Sequence, residues 1–219
     1  MYEEGIDMSQ ILETIAGALA DGAVDNVKNG VRKAIDDGVS AKDILSKGLI
    51  SGMDKVGLLF KDGEMFVPEV LVAAKAMQAG LEIIKPLLLS DGVQSVGKIL
   101  MVTVEGDLHD IGVKLVGMML EGAGFEVINL GVDIPAAKII EKVKELRPDI
   151  LGLSAMLTTT MASMKNVMDA LKEEGLLDNI KVMVGGAPLS PMYAEKIGAH
   201  YSADSNEAVF LAKSLIKKT

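Results

Sequence analysis

Lys98-Ile99-Leu100-Met101-Val102-Thr103-Val104 runs without a break into Glu105-Gly106-Asp107-Leu108-His109-Asp110-Ile111-Gly112. A short apolar run that ends at a Gly-Asp turn signal reads as a strand buried on both faces. The amphipathic stretch behind it, 110–123, reads as a helix. The same rhythm continues to the end of the chain. Strands are expected over 98–104, 126–130, 150–154 and 181–184, with a weak one over 200–202. Helices are expected over 110–123, 135–146, 160–174, 191–197 and 206–217. This alternation predicts a parallel sheet covered by helices on both faces. Five strands suggest the flavodoxin-like (Rossmann-like) order 2-1-3-4-5. Right-handed crossovers then bring every loop that follows a strand to one edge, and ligands of such sheets bind there.

Upstream of residue 90 the period changes to that of a helix. Four apolar stripes follow one another: Ile11, Leu12, Ile15, Leu19; Val24, Val27, Val31, Ile35; Ile44, Leu45, Leu49, Met53, Val56; and Val70, Ala74, Met77, Leu81, Ile84, Leu88. Breakers separate them at Asp21-Gly22, Gly38 and Lys61-Asp62-Gly63. Ser40 is placed to cap the third helix and Pro68 suits the first turn of the fourth. A four-helix bundle over 1–90 followed by an α/β domain over 91–219 is expected, with a linker that begins at Ser90-Asp91-Gly92.

Composition narrows the function. The chain has 219 residues, 49% of them hydrophobic, enough for a large core and too many for a disordered chain. Its net charge is −9, and acidic residues outnumber basic ones by similar margins on both sides of residue 90. Neither a basic face for nucleic acid nor a polybasic membrane patch is expected. No apolar run reaches the ~18 residues of a membrane span. Met1-Tyr2-Glu3-Glu4 lacks the basic-then-apolar order of an export signal, so a cytoplasmic protein is expected. Cysteine is absent, which excludes disulfides, thiolate metal sites and a cysteine nucleophile. Only two histidines occur, His109 and His200, so imidazole chemistry has two addresses. His200, at the weak fifth strand, is expected to be structural.

His109 lies in the loop after the first strand, with Asp107 two residues before it. In an extended loop, side chains two apart project to the same side. An imidazole that ligates a metal through one nitrogen commonly has the other held by a carboxylate. Gly112 permits close approach of something bulky. Two further features fall on the same edge. Strand three runs into Ser154-Ala155-Met156-Leu157-Thr158-Thr159-Thr160, and strand four ends at Gly185-Gly186. Each has an ordinary explanation by itself: a capping aspartate, threonines that cap a helix, and a sharp strand-to-helix turn.

Their order and spacing together resemble a known pattern. Asp107-x-His109-x-x-Gly112 is followed after 41 intervening residues by Ser154, and Gly185-Gly186 follows Met156 after 28 intervening residues. This is similar to the cobalamin-binding motif of methionine synthase and related corrinoid proteins: Asp-x-His-x-x-Gly, Ser-x-Leu, Gly-Gly. One position departs, with Met156 where the pattern has leucine and Leu157 beside it. Gly63-Glu64-Met65-Phe66-Val67-Pro68-Glu69-Val70 and Ala73-Ala74-Lys75-Ala76-Met77 look like the helical cap that precedes the cobalamin domain in that family. Size and domain order resemble the free-standing corrinoid proteins of methyl-transfer systems.

The resemblance implies cobalamin bound with its own lower base displaced, as methylcobalamin in the loaded state. His109 would then ligate the cobalt, Asp107 would orient it, and Thr160 would complete the relay. Ser154 and Thr158 would meet the displaced base. Gly112, Gly185 and Gly186 would leave room for the nucleotide tail, beside Met156 and Leu157. A bulky side chain at Gly185 or Gly186 is therefore expected to block the tail without loss of fold stability. Phe66 would cover the upper face or belong to the bundle core, and 90–96 would serve as a hinge.

The implied function is a methyl carrier with no catalytic residue of its own. It would accept the methyl group from a substrate-specific methyltransferase acting on a methylamine, glycine betaine, methanol or a methoxy donor. It would deliver it to an acceptor methyltransferase with a thiol or tetrahydrofolate substrate, and a reductive activation protein would service the cobalt. A cobalamin-dependent regulator would need a basic recognition helix, which the acidic bundle does not offer. The small subunit of a radical mutase would leave its upper face to a partner's substrate barrel, not to a cap. A receiver-like signalling domain would need an acidic cluster after strand one, with a matching lysine after strand five.

Overall fold

The structure is a computed structural model that describes residues 8–90 and 95–216. The chain divides into two compact units, residues 1–94 together with 122–124, and residues 95–121 together with 125–219. Most of the expected 90–96 hinge lies outside the described residues.

The first unit is helical: α1 (Met8–Ala20), α2 (Val24–Asp36), α3 (Ala41–Asp43) running on through a π-helix (Ile44–Ile50) into α4 (Ser51–Lys61), and α5 (Val67–Ser90). The four apolar stripes turn inward, and Ile15, Leu19, Val27, Val31, Ile44, Leu49, Val56, Val70 and Ile84 are fully buried. Ser40 caps the third helical stretch, its Oγ accepting from the Asp43 N–H at 3.1 Å. That stretch is not the single regular helix its periodicity predicts, because it widens by a π-turn in the middle. Gly48 and Gly52 face α1, and a Cβ on Gly52 would stand 2.9 Å from the Ala16 carbonyl oxygen. Close helix–helix approach therefore sets these two positions. At the start of α5 Glu69 reaches back so that its Oε2 accepts the Phe66 N–H at 2.7 Å, which satisfies one of the helix's free N-terminal donors. Pro68 occupies the first turn, where its missing N–H costs nothing.

The second unit is a parallel sheet of five strands in the order β2-β1-β3-β4-β5, as expected from the βα rhythm. The strands are β1 (Lys98–Thr103), β2 (Glu126–Asn129), β3 (Ile150–Ser154), β4 (Lys181–Gly185) and β5 (His200–Tyr201). The connecting helices are α6 (Ile111–Gly122), α7 (Ala136–Leu146), α8 (Met161–Glu173) and α9 (Pro191–Ile197), and α10 (Ser205–Ile216) follows β5. The inner strands are buried along most of their length; on one face Leu100, Val102, Leu151, Leu153, Val182 and Val184 pack against Ile139 and Val143 of α7 and Met164, Val167 and Leu171 of α8. The two edge strands are the shortest, which limits the unpaired backbone they offer. His200 sits exposed on β5.

Register aligns the functional edge. Thr103 on β1 pairs with Ser154 on β3, and Ser154 pairs with Gly185 on β4. Three strands therefore end level, and their loops open side by side. Among the described residues no helix is long and apolar enough to cross a membrane.

Candidate functional site

The loop after β1 carries Asp107 inward and His109 outward. Asp107 is fully buried, while the His109 side chain is 53% exposed. His109 Nδ1 lies 2.7 Å from Asp107 Oδ1, and the His109 backbone N–H donates to the same oxygen at 3.0 Å. The other oxygen, Oδ2, is served by the loop after β3. The Met156 N–H donates to it at 2.6 Å, and the Thr160 hydroxyl lies 2.9 Å from it. That hydroxyl has one proton and a second acceptor, the Leu157 carbonyl oxygen, also at 2.9 Å.

Burial by itself pushes the Asp107 carboxyl up. The Met156 and His109 N–H groups, the His109 ring and the Thr160 hydroxyl outweigh it and hold the group down at about 2. Asp107 is therefore a carboxylate at neutral pH, and a carboxylate can only accept. The proton shared with the ring then belongs to His109 Nδ1. In the neutral form of the ring the lone pair then lies on Nε2.

Four large apolar side chains close to the Asp107–His109 pair in these segments are open to solvent. Leu108 and Ile111 are each 72% exposed, and Met156 and Leu157 are also open to solvent. Leu108 comes from the loop after β1 and Met156 and Leu157 from the loop after β3, the two loops that Asp107 ties together, and Ile111 opens α6. Gly112, in the first turn of α6, has nothing within 4 Å of where a Cβ would stand. Its small size meets no packing demand within the protein, which leaves space for a ligand.

Other expected residues fall in several places. Ser154 is half-buried at the end of β3, and Thr158 is exposed in the turn that follows. Gly185 closes β4, and a Cβ there would meet only Ser202, its carbonyl oxygen at 3.4 Å. Gly186 differs. Its φ is +133°, and a Cβ would lie 1.9 Å from the Ala155 carbonyl oxygen. The expectation that a side chain at either glycine leaves the fold intact is therefore wrong for Gly186, where the tight turn itself demands glycine. Phe66 is 67% exposed at the start of α5, so it is not a core residue of the bundle.

Two residues that periodicity and motif do not single out also shape the loop. The buried Thr103 hydroxyl donates to the His109 carbonyl oxygen at 3.1 Å. Asp133, in the loop after β2, accepts the Gly106 N–H at 2.7 Å. The available sequence signal was position alone: both stand at the carboxyl edge of the sheet.

The donor set fits one kind of metal group. Among the described residues no cluster of three or more His, Asp or Glu side chains could hold a bare ion. One half-exposed imidazole backed by a buried carboxylate, with exposed apolar side chains on the same two loops, suits a metal already held in a large macrocycle. A sheet edge of this type and a helical unit ahead of it define a cobalamin-binding protein.

Comparison with known proteins agrees. A B12 binding domain model matches residues 97–212, and a second B12 binding domain model matches residues 11–85. A dimethylamine corrinoid protein of Methanosarcina acetivorans is 45% identical over 209 residues, 94% of this chain and 98% of that one. Among solved structures, a cobalamin-binding protein from Desulfitobacterium hafniense is 35% identical with a TM-score of 0.79, over 93% of this chain and 98% of that one. The methanol:cobalamin methyltransferase complex of Methanosarcina barkeri includes a chain 31% identical with a TM-score of 0.85, over 96% of this chain and 81% of that one. The chain belongs to the B12-binding corrinoid proteins of methyltransferase systems.

Proposed function

We propose that this corrinoid protein carries methyl groups drawn from dimethylamine or a closely related methylated amine. The likeness to dimethylamine corrinoid proteins across nearly the whole of both chains supports this donor over methanol, where the likeness is weaker. Residues 91–219 hold the cofactor and residues 1–90 act as its cap, with Phe66 on the methyl-bearing face. An amine-specific methyltransferase loads the carrier. A second methyltransferase, with a thiol or tetrahydrofolate acceptor, unloads it, and a reductive activation protein restores the metal after stray oxidation.

The observation that carries the binding mode is the 2.7 Å contact between His109 Nδ1 and Asp107 Oδ1. When bound, cobalamin would supply the cobalt centre that takes up and gives up the methyl group. The protein's part is to present an imidazole of fixed tautomer below that metal. Asp107 holds the Nδ1 proton and raises the donor strength of Nε2. Thr160 and the Met156 N–H hold Asp107. Leu108, Ile111, Met156 and Leu157 give the apolar macrocycle a dry contact. Gly112 and Gly185 leave room for the nucleotide tail, and Ser154 and Thr158 offer hydroxyls to the displaced base. The cofactor does the bond chemistry, and the chain binds and orients it.

The test is reconstitution with cobalamin, followed by methyl loading in the presence of purified methyltransferases specific for dimethylamine and for methanol. Loading by the amine enzyme alone supports the proposal. Loading by the methanol enzyme alone overturns the donor assignment. An axial-nitrogen signature that persists in His109→Ala overturns the ligand assignment.

A further inference from the structure

The loop after β2 grips the histidine loop in a way the binding motif does not describe. Asp133 Oδ1 accepts the Gly106 N–H at 2.7 Å, and the Asp133 N–H donates to the Asp107 carbonyl oxygen at 3.0 Å. These two bonds bracket the turn that delivers Asp107. Around them the two loops are laced further: Thr103 N–H to the Gly131 carbonyl oxygen at 3.0 Å, Ile134 N–H to the Thr103 carbonyl oxygen at 3.2 Å, and a bridge between Val104 and Ile134.

Asp133 adopts φ of 56°, a left-handed conformation that L residues other than Asn and Asp seldom take. The residue is exposed, so no core packing imposes that shape. The pair of bonds to Gly106 and Asp107 does. Gly106 has φ of +84°, and a Cβ on it would come within 3.4 Å of the Thr160 methyl carbon. The gripped turn therefore lies against the same Thr160 whose hydroxyl faces Asp107. A shift of this turn would move Asp107 relative to both Thr160 and Met156.

We propose that Asp133 is a positioning residue for the lower ligand: by clamping the Gly106–Asp107 turn from the neighbouring loop, it sets where the His109 imidazole stands. This rests on the reading of His109 as the cobalt ligand. Asp133 acts through Gly106 and Asp107, to which its two hydrogen bonds run.

The experiment compares Asp133→Gly and Asp133→Asn in the full chain reconstituted with cobalamin. Glycine keeps the left-handed backbone and removes the acceptor, whereas asparagine keeps both. One readout is the fraction of bound cobalamin with an axial protein nitrogen, from the nitrogen splitting in the electron paramagnetic resonance of the cobalt(II) form. The other is hydrogen exchange of the Gly106 amide in cobalamin-free protein. Asp133→Gly should lower the ratio of ligated to unligated cofactor about tenfold, the low end for outer-layer changes around a metal ligand. It should speed Gly106 exchange by a similar factor. Asp133→Asn should stay within about twofold of the parent protein in both.

Equal ligated fractions in Asp133→Gly and parent overturn the proposal. A loss in Asp133→Asn as large as in Asp133→Gly overturns it too, because the acceptor is still present. A parent protein without axial nitrogen overturns the His109 reading instead. The clamp then stands or falls on whether Gly106 exchange quickens in Asp133→Gly.

Discussion

His109 Nδ1 and Asp107 Oδ1 lie 2.7 Å apart, yet one side chain is 53% exposed and the other is completely buried. A buried carboxylate beneath an exposed ring fixes the tautomer and leaves the opposite nitrogen for the outside. Substitutions on the two sides of this contact should separate. His109→Ala should abolish the axial-nitrogen signature while cobalamin stays bound through its tail. Asp107→Asn should keep the imidazole but weaken its hold on the metal by about 10–100-fold. Optical titration with cobalamin, read alongside the cobalt(II) resonance, distinguishes the two.

Asp107 should also write a pH dependence into the cobalamin-free protein. Its carboxyl is lowered from 3.8 to about 2 in the folded chain. A lowered value means stability that is fully present above the unfolded value and lost as pH falls towards the folded one. The window is therefore about pH 4 to pH 2, and the contribution is on the order of 1–2 kcal/mol. The stability gap between parent and Asp107→Asn in urea should shrink by that amount across the window. A gap that stays constant from pH 5 to pH 2 would falsify the assignment.

Thr160→Val keeps the shape and deletes the hydroxyl that faces Asp107 at 2.9 Å. A hydrogen bond to a buried charge contributes about 1.5–3 kcal/mol, and a loss of about that size is expected in chemical denaturation. Thr158→Val, at an exposed position in the same turn, should leave stability within about 0.5 kcal/mol. A matched pair of effects would show that Thr160 does not support the carboxylate.

The two adjacent glycines should behave differently. Gly186→Ala drives a Cβ against the Ala155 carbonyl oxygen at a φ of +133°. It should cost several kcal/mol or prevent folding, whatever the cofactor does. At Gly185 the nearest neighbour of a Cβ is Ser202, its carbonyl oxygen at 3.4 Å. Gly185→Ala should change stability by about 1 kcal/mol or less. Gly185→Leu should weaken cobalamin binding far more than it weakens the fold. Thermal melts with and without cobalamin measure both, and full cofactor uptake by Gly185→Leu would remove the case for a slot at that position.

Much of the architecture was legible because periodicity reports burial. The strand over 150–154 and the helix over 191–197 match the structure residue for residue, and the sheet order follows from strand count and crossover handedness. The π-turn at Ile44–Ile50 was not legible, since an apolar stripe looks alike whether its helix is regular or locally widened. Gly186 was half legible. A Gly-Gly pair announces a turn or a close approach, and only the position of the Ala155 carbonyl tells which applies to which residue.

Sequence alone determined the helical unit, the doubly wound sheet and the edge on which Asp107, His109, Ser154 and Gly185 gather, because spacing along a chain dictates which face and which end of an element a residue occupies. Tertiary structure alone decided that the Met156 N–H serves Asp107 beside the Thr160 hydroxyl that the resemblance implied, and what grips its loop. Met156 and Thr160 reach it from 49 and 53 residues away, and Asp133 reaches Gly106 from 27. Hydrogen bonds depend on distances of a few tenths of an ångström between loops. No pattern within a single segment encodes them.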